Sequence, residues 1–177
     1  MSERLARRWR ATLVRRPDQL ACQPFLSHRG SLTRRLQQHG DFSLRLLRQT
    51  LAAPTRDESA LLGILAHRRV QVREVALCCD GRVLVFAHTV LPCRPRGPLQ
   101  RWLARLGARS LGLLLFSHPG FARGEMTFRC IDHRHPLFAA AAAVLGGEQL
   151  RFWARRSTFS FAGQRVLVTE VFAPLQK

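Results

Sequence analysis

Apolar and polar residues alternate with a period of two along Val70-Gln71-Val72-Arg73-Glu74-Val75-Ala76-Leu77-Cys78-Cys79, and again along Arg82-Val83-Leu84-Val85-Phe86-Ala87-His88, which predicts two strands. Asp80-Gly81 between them predicts a two-residue hairpin turn. Such a turn sets Leu77 opposite Leu84, Val75 opposite Phe86 and Arg73 opposite His88, all on the apolar side of the pleat. A second hairpin is predicted from Arg155 to Phe172, turning at Ala162-Gly163 or at Gly163-Gln164. Either turn puts Glu170 on one face with Val166, Val168, Phe159, Phe161 and Phe172.

The remaining punctuation predicts two short helices from Pro17 to Phe25 and from Ser31 to Gln38, with Ser31 as N-cap, then a strand from Asp41 to Thr50. Pro54 to Glu58 reads as a polar connection. Helices follow from Pro98 to Leu106 and from Ser110 to Phe116, separated by Gly107. A strand from Gly124 to Ile131 and a helix from Pro136 to Leu145, ended by Gly146-Gly147, complete the set. Six strands with interspersed helices and no repeated unit predict an α+β fold: an antiparallel sheet covered by helices, in one domain spanning residues 1–177.

An inward Arg73 and an inward Glu170 need an explanation, because an unpaired charge in a core costs several kcal/mol, roughly. Three readings fit the pattern. The two charges lie on exposed faces or edges, they form a structural ion pair, or a polar ligand sits between them.

Composition narrows the function classes. No apolar run approaches the ~20 residues of a membrane span, and the N-terminal segment lacks the apolar stretch of a secretory signal. The formal charge of +18 suggests nucleic acid, yet all but one of the 29 basic residues are arginine, spread from Arg4 to Arg165. They are not gathered in a stripe, tyrosine is absent, and no specific nucleic-acid partner is expected. Arg4, Arg7, Arg8, Arg10, Arg15 and Arg16 make residues 1–16 a solvated, mobile basic tail, capable at most of weak peripheral contact with an anionic membrane. Cys22, Cys78, Cys79, Cys93 and Cys130 are odd in number and include an adjacent pair pointing to opposite faces of a strand, so free thiols and a cytoplasmic location are expected. The histidines form no metal-ligand array.

Several segments in this order and spacing carry a family resemblance. They are Ser31-Leu32-Thr33-Arg34-Arg35-Leu36-Gln37-Gln38-His39-Gly40, Arg73-Glu74-Val75-Ala76-Leu77-Cys78, Thr89-Val90-Leu91-Pro92, and Leu106-Gly107-Ala108-Arg109-Ser110-Leu111-Gly112 with Leu115-Phe116. Trp153-Ala154-Arg155-Arg156-Ser157 and Leu167-Val168-Thr169-Glu170-Val171-Phe172-Ala173-Pro174 complete them. Together they resemble the chorismate pyruvate-lyases, which make 4-hydroxybenzoate at the head of bacterial ubiquinone synthesis. The resemblance runs from about Asp18 to Pro174. It implies a six-stranded antiparallel sheet holding an enclosed cavity under two helix-turn-helix flaps. By the same resemblance Arg73 clamps the ring carboxylate, Glu170 meets the 4-hydroxyl as base or as orienting group, and the backbone around Leu111 completes the polar contacts. Leu32 becomes an apolar flap residue lining the pocket. His88 stands where the best-known member has arginine and is a candidate for the enolpyruvyl carboxylate, with Arg155 as the other. No cofactor or metal is implied, and a monomer is expected. The competing reading is a non-catalytic small-molecule-sensing domain of the same fold, as in bacterial transcription regulators.

Overall fold

The computed structural model describes residues 8–13, 17–19, 22–65, 67–93, 97–107, 109–146 and 149–174. Six strands form one antiparallel sheet: β1 (Phe42–Ala52), β2 (Val70–Cys79), β3 (Arg82–Pro92), β4 (Ala122–Asp132), β5 (Arg151–Phe161) and β6 (Gln164–Phe172), in the order β1-β2-β3-β6-β5-β4. The helices are α1 (Gln23–Leu26), α2 (Leu32–Gln37), α3 (Arg56–Leu62), α4 (Pro98–Leu106), α5 (Leu111–Ser117) and α6 (Phe138–Leu145).

Helices cover both faces of the sheet. On the front, Leu26, Leu32 and Leu36 of the α1–α2 pair pack on Val75, Leu77 and Val85, while Leu99, Leu106 and Leu115 of the α4–α5 pair pack on Leu91, Phe159 and Val166. On the back, Ala141 of α6 packs on Phe86, Phe152 and Val171, and Leu62 of α3 packs on Val70, Val90 and Leu167. The central strands β2 and β3 are therefore buried on both sides. Charges on either face of β2 are then inside the protein: Arg73 is 2 % exposed on the front and Glu74 6 % on the back.

Both hairpins turn through two residues with positive φ, Asp80 (51°) with Gly81 (73°) and Ala162 (48°) with Gly163 (71°), which settles the second turn at Ala162-Gly163. The first hairpin departs from the simple register. Cys78 pairs with Val83 but Leu77 pairs with Val85, so Leu84 is an extra residue in β3. Its carbonyl is taken by the Ala173 N–H at 2.8 Å. Beyond this bulge Val75 faces Ala87, Glu74 faces His88 and Arg73 faces Thr89. Because the side-chain period is two, the one-residue slip moves His88 to the back of the sheet.

Two other expectations fail for identifiable reasons. Pro54 to Glu58 is not merely a polar connection: Thr55 caps α3 through a reciprocal capping box with Glu58, and Gly63 closes the helix at φ 66°. The tail is not free through residue 16, since residues 9 and 10 dock. Arg10 exchanges backbone hydrogen bonds with Phe128 at 2.9 and 2.8 Å on the outer edge of β4. Trp9 Nε1 donates to Asp57 at 3.1 Å, and the Arg156 guanidinium lies over the indole at 4.2 Å. Residues 14–16 lie outside the described residues. Trp9→Ala should destabilise the protein by about 2 kcal/mol, below the range for a fully buried tryptophan because Trp9 is half-exposed. Urea denaturation measures it, and an unchanged midpoint would mean that the docked segment adds nothing to stability.

All five cysteines are free; Cys93 alone among them is exposed.

Candidate active site

Arg73 reaches from the front of β2 toward the loop between α4 and α5. Its Nη2 donates to the carbonyls of Gly107 and Arg109 at 3.0 and 2.9 Å. Nε is buried and has no hydrogen-bond partner. No carboxylate among the described residues pairs with it, and burial pushes the guanidinium's pKa below its ordinary value. A buried cation with an open donor is a ready receptor for an anion.

Arg73 lines a pocket together with Val75, Ala87, Ser110, Leu111 and Glu170. Arg73 and Glu170 share the face expected of them, separated by β3 and offset by two residues along the strands. Strand geometry puts their Cα atoms about 12 Å apart. Ser110 caps α5 by accepting from Leu113 N at 3.3 Å. The first-turn N–H groups of Leu111 and Gly112 have no acceptor within the helix. They border the same pocket.

Glu170 does not pair with Arg73. Its Oε2 accepts from Arg155 Nε at 2.5 Å. Arg155, 1 % exposed, also donates through Nη1 to the carbonyls of Phe25 at 2.8 Å, Leu26 at 3.4 Å and His28. A mutual Arg73–Glu170 ion pair is therefore not formed: Glu170 answers Arg155 instead, and Arg73 has no carboxylate partner among the described residues.

A second pocket adjoins the first, sharing Thr33, Gly112, Val168 and Glu170 with it. Its other walls include Leu32, Phe116, Arg123, Arg155 and Phe159. The two helix pairs meet above: Thr33 Oγ1 and Ser110 Oγ are 2.6 Å apart. Glycine at 112 serves this closure, because a Cβ there would lie 3.3 Å from Thr33 Oγ1.

Leu32, Arg73, Leu111, Arg155 and Glu170 all line these pockets. His88 lines neither, which withdraws it as a group for the enolpyruvyl carboxylate. Its Nδ1 is 2.9 Å from Glu74 Oε1 and its Nε2 3.1 Å from Glu58 Oε1, the latter an ion contact rather than an aligned hydrogen bond. Arg48 completes the cluster by donating from Nε to Glu74 at 2.9 Å. Burial disfavours a charged imidazole, but the two carboxylates outweigh it and raise the His88 pKa; against the same burial, His88 holds both carboxyls low, joined at Glu74 by Arg48. A raised histidine pKa stabilises the fold fully below the unfolded value of 6.5, and that contribution is lost as pH rises through the folded value. The melting temperature should therefore fall as pH rises above neutrality, and His88→Gln should flatten that decline. An identical slope in the variant would show that another group titrates.

Arg123 is the pocket residue that pattern reading missed. The strand was expected from Gly124, and Phe121-Ala122-Arg123-Gly124-Glu125 shows no alternation. A register shift between Arg123 and Met126 sets Arg123 opposite Phe159 and Met126 opposite Ser157, turning both to the front.

A family profile described as chorismate lyase matches residues 8–176. Among curated relatives, a "probable chorismate pyruvate-lyase" of Dechloromonas aromatica is 47 % identical over 158 residues, covering 86 % of this chain and 89 % of that protein. Proteins with the same description from Methylobacillus flagellatus (40 %, covering 86 % of each chain) and Thiobacillus denitrificans (44 %, covering 85 % and 81 %) are similar to it as well. Among solved structures, PhnF from Mycobacterium smegmatis shares the fold with a TM-score of 0.61 at 16 % identity, covering 83 % of this chain and 65 % of that one. The C-terminal domain of the histidine utilization repressor from Pseudomonas syringae does so with a TM-score of 0.59 at 9 % identity, covering 77 % and 96 %. Those likenesses fix the fold alone, whereas the profile and the curated relatives establish that this chain belongs to the chorismate lyase family.

Proposed function

We propose that this protein eliminates pyruvate from chorismate to give 4-hydroxybenzoate, the first step toward ubiquinone. The observation that carries the reading is a buried arginine with an unpartnered Nε, facing the same pocket as Glu170.

Chorismate carries a ring carboxylate para to C4, and an enolpyruvyl ether at C3. Loss of the C4 proton forms the C3–C4 double bond while the C3–O bond breaks, and the enolpyruvate released takes up a proton to become pyruvate. Aromatisation drives the step, so orientation and a dry, prearranged polar surround supply much of the catalysis. Arg73 and the first-turn N–H groups of α5 receive the ring carboxylate. Glu170, anchored by Arg155 through one oxygen, accepts the 4-hydroxyl through the other and fixes the ring. The two helix pairs, joined by Thr33 and Ser110, form the lid that encloses the ligand.

Incubation of the purified protein with chorismate, with 4-hydroxybenzoate followed by chromatography and pyruvate by a coupled assay, tests the reading. Both products should appear in equal amounts. Tight binding of 4-hydroxybenzoate with no turnover would instead identify a sensing domain of this fold.

A further inference from the structure

We infer that Arg123 receives the enolpyruvyl carboxylate of the substrate and thereby distinguishes chorismate from its aromatic product. This rests on the lyase reading and assigns the second pocket a chemistry: a carboxylate on a short side arm.

Of the two arginines in that pocket, Arg155 is committed to Glu170 and three backbone carbonyls. Arg123 is held more loosely. Its Nε donates to Ser157 Oγ at 3.1 Å and its Nη1 to the Arg29 carbonyl, but its Nη2 meets only the thioether of Met126, at 3.2 Å. A thioether is a weak acceptor, easily displaced by a carboxylate. No carboxylate among the described residues lies within ion-pair distance of Arg123. The rings of Phe116 and Phe159 hold the guanidinium at 5.2 and 5.5 Å, steadying a partly desolvated cation without neutralising it. Burial, with the charge of Arg155 nearby, pushes its pKa below the ordinary value.

Glu170 borders both pockets, so a ring whose 4-hydroxyl meets Glu170 can send its C3 substituent into the pocket that holds Arg123. The same guanidinium binds the Arg29 carbonyl in the turn between α1 and α2. A carboxylate that takes Nη2 from the Met126 thioether while Nη1 keeps that carbonyl couples occupancy of the second pocket to the lid.

The test compares two ligands, because 4-hydroxybenzoate lacks the second carboxylate. Arg123→Gln should raise KM for chorismate at least 10-fold while changing the 4-hydroxybenzoate dissociation constant by less than threefold. Arg123→Lys, which keeps the charge, should recover part of the loss and serves in its place if the Gln variant does not fold. An unchanged KM, or equal weakening of both ligands, would overturn the inference; the second result would make Arg123 only a lid tether. A wild-type protein that forms no pyruvate would overturn the lyase reading, and this inference with it, whereas an active wild type with an unaffected Arg123→Gln variant would remove this inference alone.

Discussion

Arg73→Lys should lower the affinity for 4-hydroxybenzoate by about 10- to 100-fold. Arg73 spends Nη2 on the carbonyls of Gly107 and Arg109 and leaves Nε unpartnered. A planar guanidinium can serve both; a single ammonium must give up either the loop or the ligand. A hydrogen bond to a charged group contributes about 1.5–3 kcal/mol, so losing the one donated by Nε amounts to roughly one to two orders of magnitude in binding. Calorimetric titration of the variant measures the effect, and circular dichroism checks that the sheet is intact. Unchanged affinity would place the carboxylate clamp elsewhere, with Arg123 and Arg155 the remaining cations of the two pockets.

Glu170→Gln should reduce turnover by about 100-fold or more, since a neutral amide is neither a base nor a charged acceptor for the 4-hydroxyl. It should also destabilise the empty protein, by about 2 kcal/mol. Considered alone, an inward carboxylate on an apolar strand suggests the opposite, that a neutral isostere is harmless or mildly stabilising. The structure reverses the sign, because Arg155 is almost fully buried and Glu170 is its anion. The glutamine oxygen can still accept from Nε, which keeps the cost below that of an outright deletion. Turnover and urea denaturation measured on the same preparation separate the roles. Full turnover with lowered stability would make Glu170 a structural partner of Arg155 and nothing more.

Much of the site was legible because strands expose their faces in the sequence. Alternation placed Arg73 and Glu170 inward, and the spacing of the second hairpin put Glu170 on the face of Val166, Val168 and Phe159, as the observed pairing of Arg155 with Glu170, Ser157 with Val168 and Phe159 with Val166 bears out. His88 was misplaced because a bulge leaves little trace in an apolar run: Val83, Leu84 and Val85 are equally good strand residues, and nothing in them says which is unpaired. Helix α3 had a readable signal in Thr55-Arg56-Asp57-Glu58, a capping box ahead of Ala60, Leu61 and Leu62.

By itself the sequence determined the six strands, the α+β class, the first hairpin turn and the placing of Arg73 and Glu170 on the apolar faces of their hairpins, all of which depend on local periodicity and turn chemistry. Only the tertiary structure decided which charge answers which. Arg155 and Glu170 pair because the β5–β6 register sets them opposite. His88 and Glu74 pair because the bulge in β3 carries His88 to the back, where alternation along β2 already points Glu74. Arg123 enters the second pocket because a shift in β4 turns it inward. Each depends on register between strands, and register is set by how bulges and covering helices bury both faces of the sheet at once, which no stretch of residues encodes alone.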